Sequence, residues 1–144
     1  MTNWGILGLG FIANKFVDAI KEVPGNKIIG VASLTKKKSD EIIKKYGINK
    51  EHYYDNYEDL INSSEIDAIY IATLNNTHAD LIEKCAIAQK KILCEKPMCL
   101  NLDEAKKIYT YLQNSSIFFV EGFAYRSHKQ TSEMCNIINS GEIG

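Results

Sequence analysis

The sequence predicts an α/β fold: a doubly wound parallel sheet of about six strands with helices on both faces. Three observations predict it. Short apolar runs alternate with amphipathic stretches along the 144-residue chain, the pattern of strand–helix–strand units. Two of those runs, KIIGVAS at 27–33 and IDAIYIAT at 66–73, are mostly continuous, as in strands buried on both faces. The stretch Gly8-Leu9-Gly10-Phe11-Ile12-Ala13 lies between an apolar run (Trp4, Ile6, Leu7) and a helical pattern. It therefore sits at a strand-to-helix turn.

Residues 2–7 are expected as the first strand and 11–23 as the first helix, with Phe11, Ile12, Phe16, Ala19, Ile20 and Val23 as its apolar stripe. Pro24-Gly25-Asn26 stops that helix and turns the chain. Residues 27–33 make the second strand and 36–46 a second amphipathic helix, closed by Gly47 where a left-handed residue is favoured. A short third strand at 52–54 and a short helix at 56–62 follow. Then come strand 66–73, helix 77–89 and strand 91–94. Asn101 caps the next helix, with Glu104 at capping-box spacing, and that helix runs to Gln113. Residues 117–120 form the sixth strand and 129–139 the last helix. No internal repeat or low-complexity tract interrupts this order. The polar, glycine-rich close at 140–144 reads as a linker, so the chain is expected to be the front portion of something larger. The expected division is a nucleotide-binding domain at 1–122 and a crossover helix with linker at 123–144.

Composition excludes several classes of function. An apolar content of 45% and a charged content of 24% suit one globular domain. A net charge of −1 and an isoelectric point near 6.3 offer no electrostatic basis for binding nucleic acid or an anionic membrane. No apolar run approaches bilayer length, and no basic segment with an apolar core precedes the first strand, so the cytoplasm is the expected location. Cys85, Cys94, Cys99 and Cys135 form no CxxC pair. They read as reduced structural thiols, with Cys85 and Cys135 buried in helices and no metal site.

Gly8, Gly10 and Ala13 occupy the small positions of a dinucleotide-binding fingerprint: tight turn, close backbone approach to a pyrophosphate, close helix packing. The amides at the helix start then face the phosphates. An ordinary glycine-rich turn, or a doubly wound domain without a dinucleotide, is the plain alternative. An acidic residue at the end of the second strand would favour NAD by accepting from the ribose hydroxyls. Here the sequence is Ser33-Leu34-Thr35-Lys36-Lys37-Lys38. Two hydroxyls and three ammonium groups, with no carboxylate, point to NADP, with NAD as the alternative; a solvated helix start accounts for the lysines otherwise.

Three clusters fall at strand ends, where such sheets place ligands. Thr73-Leu74-Asn75-Asn76-Thr77-His78 offers polar contacts or a helix cap, and His78 either touches a ligand or packs internally. In Glu95-Lys96-Pro97, Lys96 can donate to a substrate oxygen that gains negative charge, while Glu95 fixes the lysine or meets the cofactor. In the segment 121–128, Glu121 leaves an apolar strand and needs a partner. Arg126 is the candidate, or a fork for cofactor or substrate, and His128 is the weaker group.

Together GLGFIA, IATLNNTH, LCEKP and EGFAYRSH, in this order and spacing, resemble the Gfo/Idh/MocA oxidoreductase family across essentially the whole chain. The resemblance implies a Rossmann domain with Gly8, Gly10, Phe11 and Ile12 at the pyrophosphate and Ser33 near the adenosine ribose. Thr73 and Asn75 would run along the cofactor, with Glu95 near the nicotinamide ribose, Lys96 as the active-site lysine and Arg126 on the cofactor side. Lys37, His78 and Lys96 itself complete the expected cofactor-binding set. Leu74 departs from the family's proline, Leu34 from the arginine frequent in NADP-binding members, and Lys129 from a common proline. Members resemble two-domain enzymes whose C-terminal domain builds the substrate pocket; it is missing from this length. The resemblance thus implies the cofactor half of an NAD(P)-dependent dehydrogenase acting on a sugar, polyol or dihydrodiol, without turnover on its own. A non-catalytic NAD(P)-sensing module is the rival. An uncovered apolar sheet face would favour self-association into a homo-oligomer.

Overall fold

The computed structural model describes residues 1–34, 43–45 and 47–143. Six strands form one sheet in the order β3-β2-β1-β4-β5-β6, with every pair parallel. The strands are β1 (Thr2–Leu7), β2 (Asn26–Ala32), β3 (Tyr53–Tyr54), β4 (Ala68–Ile71), β5 (Lys91–Cys94) and β6 (Phe119–Glu121). The described helices are α1 (Phe11–Ile20), α2 (Tyr57–Asn62), α3 (His78–Ile87), α4 (Leu102–Asn114) and α5 (Lys129–Ser140). The Rossmann-type doubly wound sheet is thus present. Residues 43–45 are helical; the rest of the helix expected at 36–46, including Lys36, Lys37 and Lys38, lies outside the described residues.

Each face of the sheet has its own core, because side chains alternate along a strand. Leu7, Ile69, Ile71, Ile92 and Cys94 meet Leu60, Ile61, Leu81, Ile82, Cys85 and Ile108 from α2, α3 and α4. Each such Leu or Ile contributes about 1.5–3 kcal/mol when fully buried. On the other face Ile6, Val31, Tyr70 and Ala72 meet Ala13 and Val17 of α1, with Ile48.

The buried residues of α1 are Ala13, Val17 and Ile20, one side of the helix. Phe11 and Ile12, expected in that stripe, are 78% and 42% exposed. They stand in the first turn of the helix, next to Gly10. The helix closes at Ile20 with tightened i→i−3 bonds (Glu22 to Ala19, Val23 to Ile20), leaving Val23 outside it.

Asn101 caps α4 as expected, its Oδ1 accepting from the Glu104 amide at 2.9 Å, while Glu104 Oε2 accepts from the Leu100 amide at 2.8 Å. Past α3, Gln89 turns the chain at φ 56°. The Lys90 ammonium is buried there and donates to Ser63 O and Ile66 O, both at 2.7 Å. Helix α5 packs on the 3₁₀ turn Ala124–Ser127 and buries none of its residues. Cys135, expected to be buried, is therefore exposed, whereas Cys85 is fully buried. Among the described residues no helix is long and apolar enough to cross a membrane, and no group of His, Cys, Asp and Glu is arranged to hold a metal ion.

Candidate functional site

The chain leaves β1 towards β2 on one side and later reaches β4 on the other, so the connections diverge and a crevice opens above the β1–β4 pair. Gly8 starts the first connection. Its amide donates to Ala32 O at 2.9 Å, and the Ala72 amide donates to Leu7 O at 2.9 Å, pinning both loops to the strands. Gly8 has φ +84°, and a Cβ there would stand 2.7 Å from Ala72 O, so the turn accepts only glycine.

Gly10 is glycine for a different reason. Its φ of −77° and ψ of −172° suit any residue, and a Cβ built on it meets nothing within 4 Å. What glycine preserves here is open space at the start of α1. No side chain caps that helix and its first turn holds no carboxylate. A free approach to an uncapped helix start suits an anion such as a diphosphate, so the residues present fit a dinucleotide.

Two clefts flank this turn. The larger, about 510 Å³, is lined by Gly8, Leu9, Gly10, Ser33, Leu34, Tyr57, Ala72, Thr73, Leu74 and Thr77. Tyr53 braces the Ser33 corner by donating its hydroxyl to Ser33 O at 3.0 Å. Across the cleft, Thr77 Oγ1 donates to Leu74 O at 2.8 Å and lies 2.7 Å from Thr73 Oγ1. These bonds hold the turn where Leu74 is 76% exposed. The second cleft, about 340 Å³, lies between α1 and the ends of β5 and β6; Ile12, Lys15, Phe16, Tyr70, Glu95, Gly122 and Phe123 are among its walls.

Glu95 is half-buried in the second cleft, and Tyr70 donates its hydroxyl to Glu95 Oε1 at 2.7 Å. Strand register makes this pair: Tyr70 aligns with Leu93, and Glu95 follows two residues later on the same side. Burial, then the bond to Glu95, pushes the Tyr70 phenol well above its usual range. Burial also raises the Cys94 thiol, with the Glu121 and Glu95 carboxylates adding to the effect.

Of the remaining expected residues, Lys96 follows Glu95 directly and is exposed, with no hydrogen bond or ion pair among the described residues. Its peptide bond to Pro97 is cis. Asn75 is exposed at the start of the 3₁₀ turn Asn75–Thr77. Phe11 is exposed, with the Lys15 ammonium 5.5 Å from its ring centroid. Arg126 is exposed in the turn Ala124–Ser127. Lys37 lies outside the described residues.

Two expectations are corrected. His78 is fully buried, its Nδ1 2.8 Å from Pro97 O and its Nε2 3.3 Å from Thr73 O. Both ring nitrogens face backbone carbonyls inside the protein, so His78 packs between two loops and leaves the set that faces the cleft. Glu121 is not paired with Arg126; its Oε1 accepts from the Met98 amide at 2.8 Å and anchors the segment after Pro97. His128 caps α5, Nδ1 accepting from the Gln130 amide at 3.2 Å. Tyr70, Phe16 and Tyr57 were absent from the sequence-based set. They come from strand and helix interiors, where an aromatic residue reads as core.

This architecture defines a class of protein. Residues 2–123 match the model of the Gfo/Idh/MocA oxidoreductase family, NAD-binding Rossmann fold, and the chain belongs to that family. It is 28% identical over 145 residues to the trans-1,2-dihydrobenzene-1,2-diol dehydrogenase of Xenopus tropicalis, covering 99% of this chain and 43% of that protein. The inositol 2-dehydrogenase of Salmonella typhimurium is 30% identical over 142 residues, covering 97% of this chain and 42% of its own length. The crystal structure of myo-inositol 2-dehydrogenase from Lactobacillus plantarum superposes with a TM-score of 0.91 at 24% identity, covering 99% of this chain and 42% of that one. The chain thus spans well under half the length of the relatives it matches.

Proposed function

We propose that this chain binds NADP in preference to NAD and forms the cofactor-binding part of a dehydrogenase that acts on a sugar, polyol or dihydrodiol. The observation that carries the reading is the open space at Gly10 beside an uncapped helix start. The relatives' names, a dihydrodiol dehydrogenase and inositol dehydrogenases, support the substrate class. When bound, the nicotinamide supplies or accepts a hydride at the substrate's carbinol or carbonyl carbon.

In this reading Gly8, Gly10, Phe11 and Ile12 hold the diphosphate, and Ser33 with Lys37 meets the adenosine ribose and its 2′-phosphate. Thr73 and Asn75 run along the dinucleotide, Glu95 accepts from its nicotinamide half, and Arg126 grips it from the β6 side. Lys96, exposed and without a partner among the described residues, orients the substrate oxygen and steadies negative charge on it. Residues 1–122 make the nucleotide-binding unit and 123–144 lead away from it. Turnover by these 144 residues alone is not expected.

Titrating NADPH and NADH separately by their own fluorescence tests the assignment. Tighter binding of NADPH supports it, tighter NADH reverses the cofactor choice, and failure of both overturns the reading. Lys96→Ala is expected to leave dinucleotide affinity within about threefold, because Nζ serves the substrate. A loss of about tenfold or more would make Lys96 a cofactor grip and favour the non-catalytic sensing module.

A further inference from the structure

The floor of the smaller cleft carries an aromatic column that the proposed chemistry does not use. Trp4 and Phe16 meet edge to face with centroids 5.3 Å apart, and Phe16 stacks on Tyr70 at 4.1 Å and 30°. Trp4 is itself tied down, its indole N–H donating to Asn26 Oδ1 at 2.8 Å. The Tyr70 ring is therefore fixed from the sheet side and from α1, and its hydroxyl has one place to point: Glu95 Oε1. Gly122 stands near the same oxygen, where an added Cβ would lie 3.5 Å from Glu95 Oε1. Tyr70 is the one side-chain donor that meets the Glu95 carboxylate among the described residues.

We propose that Tyr70 is a positioning residue: through its hydroxyl it holds the Glu95 carboxylate so that the second oxygen faces the cleft between α1 and β6 and accepts from the nicotinamide half of the cofactor. This rests on the cofactor reading above. A free glutamate samples several rotamers, and immobilising such a chain on binding costs affinity. Here the tyrosine carries that ordering before any ligand arrives. The phenol is raised by burial and by Glu95 itself, so it keeps its proton and remains the donor. Half of the Glu95 carboxylate is committed inside the protein and half is left for a hydroxyl or amide of the ligand.

Tyr70→Phe removes one oxygen and leaves the Phe16 stack in place. The test compares two probes: the preferred reduced dinucleotide, which would reach both clefts, and ADP, which reaches only the first. For Tyr70→Phe the dissociation constant of the dinucleotide is expected to rise about tenfold while that of ADP stays within about twofold. In a Glu95→Ala background the same change is expected to do nothing further, since Tyr70 acts through Glu95. Equal weakening of both probes, no weakening of either, or an undiminished effect without Glu95 would overturn the proposal. If the unmodified chain binds the dinucleotide no better than ADP, this proposal falls and the cofactor reading stands. If it binds neither, both fall.

Discussion

Replacing Gly10 by aspartate separates the two roles a helix start can play. The backbone at Gly10 is already extended, and an added Cβ touches nothing within 4 Å, so the folded chain accommodates the side chain. Aspartate is a better cap than glycine by a few tenths of a kcal/mol, and its charge at the positive end of α1 adds about 0.3–1 kcal/mol. The free variant is therefore expected to melt at or slightly above the parent temperature. Ligand binding responds in the opposite direction. A carboxylate about 5 Å from a phosphate charge, at an effective dielectric of about 20, is repelled by about 3 kcal/mol, more than a hundredfold in affinity. Thermal unfolding with and without NADPH reads both effects. At about 100 times its dissociation constant a ligand stabilises by about 2.7 kcal/mol, or about 5–10 °C for a chain of this size. The variant should lose nearly all of that shift. A variant that keeps the shift, or that melts several degrees lower without ligand, would refute the assignment of this turn. Gly8→Ala is the contrast: with φ +84° and Ala72 O at 2.7 Å from the new Cβ, it lowers the melting temperature with or without ligand.

Two further outcomes follow from the packing. Burial holds the Cys85 thiol up from 9.0 to about 12, so between those values the unfolded chain releases a proton that the folded chain keeps. Stability then falls with rising pH across that window by up to about 1.4 kcal/mol per unit for this group. Cys94 is shifted in the same sense. Urea midpoints taken on either side of the lower value should decline less steeply in Cys85→Ala, and an unchanged slope would contradict the linkage. Gln89 is the single non-glycine residue with positive φ among the described residues. Gln89→Gly should raise the unfolding free energy by about 0.5–1 kcal/mol, read as a higher urea midpoint at unchanged m. A lower midpoint would mean that the Gln89 Nε2–Ala86 O bond of 3.2 Å outweighs the backbone strain.

What could be read from the sequence was what depends on neighbours along the chain. The capping of α4 by Asn101 and Glu104, the turn at Gly8 and the continuous apolar strands are local, and the structure reproduces them. The sixth strand was placed at 117–120 but pairs as Phe119–Glu121, because its limits are set by contact with Ile92–Cys94, which no local pattern encodes. The same blindness hid the Tyr70–Glu95 bond, a product of register between β4 and β5. For His78 the local sequence leaves ligand contact and internal packing both open; its neighbour in the fold, the carbonyl of Pro97, lies nineteen residues away.

That buried imidazole has a mechanical consequence. Its two nitrogens touch the rim carrying Thr73, on the wall of the larger cleft, and the segment containing Pro97, two residues beyond Glu95 in the wall of the smaller. The rims are thereby geared to one another through a single rigid ring. Displacing either rim therefore disturbs the same buried ring.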